Sequence, residues 1–175
     1  MPFYISVALN LLLILVLSWL QFGFLGSLAY PYNHIDILFS TVFFIGLWAR
    51  ESIGIYWVLV VGPIVSYHSI YPLASVFLSL IAVVFAIQKM SKTLFVKSSL
   101  IGTLVLVPTG MILFILLSFV LNYLAYLLFF YSRNPFFDFY ISGQALRIFG
   151  SLFVSMGLYA GFQLIYRRLG SYFIY

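Results

Sequence analysis

Cysteine is missing from this 175-residue chain, and charge nearly so. The first absence excludes disulfides, thiol catalysis and Cys-ligated zinc. The second excludes a water-soluble globule: eight Lys/Arg and three Asp/Glu make 6% of the residues, against roughly 25% in an ordinary soluble domain. Histidine occurs only at His34 and His68, with no HExxH and no close His pair, so no metal site is expected. Three scattered carboxylates give no pair for general acid/base work. Neither G-x-S-x-G nor a P-loop occurs. No catalytic residue, metal ligand or cofactor is therefore expected, and the basic residues form no patch for nucleic acid.

What is present is apolar. Hydrophobic residues make up 65% of the chain and aromatics 21%, and the mean hydropathy is +1.20. Such a chain is neither disordered nor soluble; it reads as one integral membrane domain, residues 1–175. The first apolar run begins at Phe3 with no preceding basic residue and no small-x-small cleavage site, so it reads as a retained span. No lipidation motif is visible.

A spanning helix needs about 20 apolar residues. Charges and Pro/Asn clusters divide the chain into six candidate spans: residues 4–25, 35–49, 52–67, 73–87, 98–131 and 141–166. The separators are the turn at Pro31, Asn33 and His34; Arg50-Glu51; a turn through Pro72; the basic stretch of Lys89, Lys92 and Lys97; and the break from Ser132 to Asp138. Counted alternately, Arg50, the three lysines and Arg167-Arg168 fall on one side, with Arg133 and Arg147 on the other. This is the sense of the positive-inside rule. The expected fold is all-α, a compact bundle of six transmembrane helices in the cell inner membrane with both termini cytoplasmic. The second and third candidates reach only roughly 22–24 Å, short of a hydrocarbon core of about 30 Å. The fifth is overlong, with Pro108 and Gly110 as places for a kink.

Each polar group within an apolar span needs a reason. Ser6, Asn10 and Gln21 lie near one face of the first span and read as interhelical glue or as a partner contact. Ser75, Ser79, Ala82 and Ala86 form a small-residue stripe suited to close packing. Gly143, Gly150 and Gly157 recur every seven residues, and Gly157 to Gly161 is a GxxxG. Ser118 and Asn122, one turn apart, read as hydrogen-bonding glue. Arg147 either snorkels to the outer interface, the preferred expectation, or pairs with Asp36 or Asp138. Asp36 opens the second span as an N-cap carboxylate or as an outer-face contact. The aromatics between Tyr131 and Tyr140 read as an interfacial belt. Candidate partner or ligand contacts are Gln21, Asn33, Asp36 and Arg147; candidate packing residues are Ser75, Ser79, Gly150, Gly157 and Gly161.

The layout of Leu20-Gln21, Asn33 to Asp36, Gly62 and Tyr71-Pro72 resembles the bacterial rod-shape-determining MreD family over residues 10–120. Members often carry Pro-Asp at the start of the second span; here Ile35 precedes Asp36. They also tend to carry Gly-Leu-x-x-Asp in the third; here Gly62 is followed by Pro63, with Ser66 in place of the Asp. The resemblance implies a non-enzymatic scaffold subunit linking cell-elongation machinery to peptidoglycan synthesis. Its partners would be membrane lipid and a single-span periplasmic protein resembling MreC. The family is similar in architecture to the S components of energy-coupling-factor vitamin transporters. The alternative is thus a subunit holding a small-molecule ligand among Asn33, His34, Asp36, His68, Asn134 and Arg147.

Overall fold

The computed structural model describes residues 3–30, 32–49, 51–68, 73–93, 100–129 and 141–169. Among them every regular element is helical. The expectations for Pro31, Arg50, Tyr71-Pro72, Lys97 and the stretch from Ser132 to Asp138 fall outside the described residues. The six α-helices among the described residues are α1 (Phe3–Ser18), α2 (Ile37–Trp48), α3 (Glu51–His68), α4 (Leu73–Thr93), α5 (Leu100–Phe129) and α6 (Ile141–Leu169). The first helix loosens into a π-helical turn, Trp19–Phe24, and a 3-10 turn, Leu25–Ser27; a second 3-10 turn, Tyr32–His34, precedes α2.

Among the described residues four helices are long and apolar enough to cross a membrane: those containing Val7–Ser27, Ala74–Lys92, Leu100–Leu128 and Gly143–Leu164. The other two expected spans, α2 and α3, are present as helices and are shorter. The 12 residues of α2 rise only about 18 Å. From Leu38 to Leu47 all but Ile45 are buried, and α2 packs against α1, α3, α4, α5 and α6. A short helix that is apolar all round and covered all round is a core element. The remaining helix, α3, contributes the shorter apolar stretch Ser52–His68.

The core centres on α2. Phe39 and Phe43 pack with Phe114 of α5, ring centroids 4.5 and 6.4 Å apart. Phe44 and Trp48 pack with Phe162 of α6. Gly110 of α5 leaves room for Ile87 and Phe43, which a Cβ there would strike. Polar side chains cross-link the bundle. Trp57 Nε1 donates to Asn10 Oδ1 at 3.0 Å, tying α3 to α1. Trp48 Nε1 donates to Thr103 Oγ1 at 3.1 Å, tying α2 to α5. Ser75 Oγ donates to Asn122 Oδ1 at 2.6 Å, tying α4 to α5. Most of the buried serines instead donate to carbonyls of their own helix, as Ser79 does to Ser75 and Ser118 to Phe114. That satisfies the hydroxyl where water is excluded.

One pattern ends differently from expectation. The stripe on α4 is buried at Ser75 and Ser79 but exposed at Ala82. The core face of that helix carries Val76, Leu80, Val83 and Ile87, about a third of a turn round from the stripe. On α5 the helix is continuous from Leu100 to Phe129 with Pro108 inside it.

Candidate functional site

The site forms where α1 ends and α2 begins. Gln21 lies in the π-helical turn and is buried, and its amide holds the chain entering α2. Nε2 donates to the Ile35 carbonyl at 3.0 Å and to Asp36 Oδ1 at 3.3 Å. Oε1 accepts from the Ile37 backbone N–H at 2.8 Å. The first N–H groups of a helix have no partner within it; here a side chain from another helix supplies one. Asp36 stands at the N-cap position of α2 but makes no capping hydrogen bond through its side chain. Its carboxylate turns towards α6.

There it meets Arg147: Nε lies 3.2 Å from Asp36 Oδ2. Oδ2 accepts no aligned hydrogen bond, so the contact is an ion pair held by charge. The snorkelling expectation for Arg147 is thereby corrected. The guanidinium is needed inside because Asp36 is 92% buried (8% exposed), and an unpaired carboxylate there would be costly. Arg147 also reaches Gln144 Oε1 through Nη1 at 3.5 Å, one turn back on α6.

Glycines explain why α6 can approach. A Cβ on Gly143 would meet the His34 ring at 3.1 Å, and one on Gly150 would meet Ile35 Cα at 3.4 Å. Three consecutive residues, His34, Ile35 and Asp36, thus seat against Gly143, Gly150 and Arg147. The same face continues to Gly157 and Gly161, but there a Cβ would meet nothing within 4 Å. Among the described residues nothing seats against the two glycines of the GxxxG, because the turn that fills the stripe near Gly143 stops at Gly150.

Of the expected contacts, then, Gln21, Asp36 and Arg147 come together, whereas Asn33 is exposed on the adjoining 3-10 turn. Beside the trio is a cavity of about 270 Å³. Its polar lining is Gln21, Asp36, His68, Ser118, Gln144 and Arg147; its apolar lining includes Phe39, Val65, Val76, Phe114 and Phe119. His68 stacks on Phe22 at 4.1 Å between ring centroids. Gln144 was not singled out by sequence; its place one turn before Arg147 was the available signal. Among the described residues no group of three or more His, Cys, Asp or Glu could hold a metal ion.

No protein-family model matches the chain, no curated protein matches it in sequence, and no solved structure matches it in fold.

Proposed function

We propose that this membrane protein is a non-enzymatic scaffold subunit of the MreD kind, serving cell-shape and elongation machinery beside peptidoglycan synthesis in the inner membrane. The carrying observation is the use made of Asp36. The carboxylate that the resemblance places at the start of the second hydrophobic segment is internal, locked by Gln21 and Arg147. It fixes the turn Tyr32–His34 on α6 rather than reaching out. That turn presents exposed Tyr30, Tyr32 and Asn33, and a rigid aromatic surface suits protein docking. The charge balance of the loops favours an outer position for it, N-in and C-in, facing a single-span periplasmic partner resembling MreC.

A photo-crosslinking residue at Tyr32 tests this. The expected product joins the chain to one single-span periplasmic protein, and Asp36→Ala abolishes it by releasing the turn. Depletion of the chain should round rod-shaped cells. Crosslinks to lipid alone, with normal cell shape on depletion, would refute the scaffold role.

The cavity favours a second reading, a substrate-binding subunit similar to the vitamin-transporter S components. Its volume approaches the lower end of small-molecule pockets and it brings charged and aromatic side chains together. Native mass spectrometry that finds one small molecule per chain supports this reading over the first.

A further inference from the structure

We infer that the cavity beside Asp36 and Arg147 binds a small, uncharged, planar ring molecule carrying an adjacent N–H and C=O. This rests on the second reading above and adds the ligand class.

Size comes first. On the scale by which a cavity of about 150 Å³ holds benzene, 270 Å³ takes roughly ten non-hydrogen atoms. Shape follows from the walls. Phe22, Phe39, Phe114 and Phe119 line the space, and aromatic walls favour a flat ring.

Charge is decided by balance. Asp36 and Arg147 cancel each other, and among the described residues no other Asp, Glu, Lys or Arg lines the cavity. A net charge on the ligand would have no counter-charge against apolar walls.

The polar edge follows from what the pair has left to offer. Asp36 Oδ1 takes one long hydrogen bond, 3.3 Å from Gln21, and keeps further acceptor capacity. Arg147 has five N–H donors; Nε faces Asp36 and Nη1 reaches Gln144. Its side chain lines the cavity and is 36% exposed. Gln21 is filled at both ends of its amide, which makes it a wall and not a hook. A ligand N–H to the carboxylate beside a ligand C=O to the guanidinium uses both members of the pair. A ligand with only a donor or only an acceptor uses half.

The test is equilibrium dialysis of the full chain in mild detergent against 2-quinolone, N-methyl-2-quinolone, naphthalene and quinoline-2-carboxylate. One-to-one binding of 2-quinolone is expected, at least about tenfold tighter than each of the others, since each lacks the N–H, lacks both polar groups or adds a charge. Ser118→Phe fills the cavity from α5, at a residue whose hydrogen bonds run to Phe114 and Ile115 and not to the pair, and should weaken 2-quinolone by about tenfold or more at unchanged helix content. If that variant does not fold, the wild-type ranking alone decides. Equal binding of naphthalene or of the N-methyl compound overturns the inference, as does a retained phospholipid that 2-quinolone cannot displace. If native mass spectrometry finds one small molecule of another kind per chain, the ligand class fails and the second reading stands. If no small molecule is retained or bound, both fail.

Discussion

The first two helices are both strongly apolar, yet they meet opposite surroundings. In α1, Leu9, Leu11, Leu12, Leu13, Leu15 and Val16 are exposed, and only 17% of the span is buried. In α2 nearly every residue is buried. Composition tells them apart where hydrophobicity does not. The exposed helix is aliphatic, with Leu and Val on its outer surface. The buried helix carries Ser40, Thr41, Gly46 and a row of Phe: small residues for close approach and rigid rings for specific packing. In a bilayer, lipid tails are as apolar as leucine, so shape and hydrogen bonding, not transfer from water, decide which helix goes inside.

That contrast can be broken by substitution. The largest effect is expected for Phe43→Ala in α2, which opens a hole between α2, α4 and α5 and should cost about 3–4 kcal/mol in a detergent unfolding titration. Asp36→Ala should follow at about 3 kcal/mol, since it strands Arg147 and frees Gln21. Arg147→Ala should cost a similar amount, because it leaves the buried Asp36 carboxylate unpaired, and, with the guanidinium partly exposed, a double-mutant cycle with Asp36→Ala should return a coupling of about 1 kcal/mol. A coupling near zero would mean the pair is geometric only. Gly150→Leu should destabilise by about 1–3 kcal/mol by pushing α6 off Ile35, whereas Gly157→Leu, on the same face over open space, should stay within about 0.5 kcal/mol. At the far end of the scale, Leu12→Ala in α1 should change unfolding by less than about 0.5 kcal/mol. A Leu12 effect as large as that of Phe43 would remove the distinction between the two helices.

The sequence shows the helical membrane class and the positions of six helices, because a bilayer leaves apolar segments few other ways to satisfy their backbone. Boundaries slipped where charge was read as an end. Lys89 and Lys92 lie within α4 rather than after it, since a lysine on the last turn suits the helix dipole. Gln21, Asp36 and Arg147 were each legible as costly polar residues in an apolar setting. Their meeting was not, because it depends on α1 loosening into a π-turn and on Gly143 and Gly150 admitting the chain before α2. The cavity was less legible still: it is the space left among five helices, and no single segment encodes it.

The brevity of α2 has a consequence for biogenesis. A segment about 18 Å long has no stable resting place of its own in a bilayer as it leaves the ribosome. It must enter together with α3, to which it is joined at residues 49–51, and await α4, α5 and α6 before its serine, threonine and ring edges are sheltered. Nascent chains halted before α5 emerges would therefore offer this segment to the membrane's quality-control proteases, so the order of synthesis sets the interval during which the centre of the finished protein is its most vulnerable part.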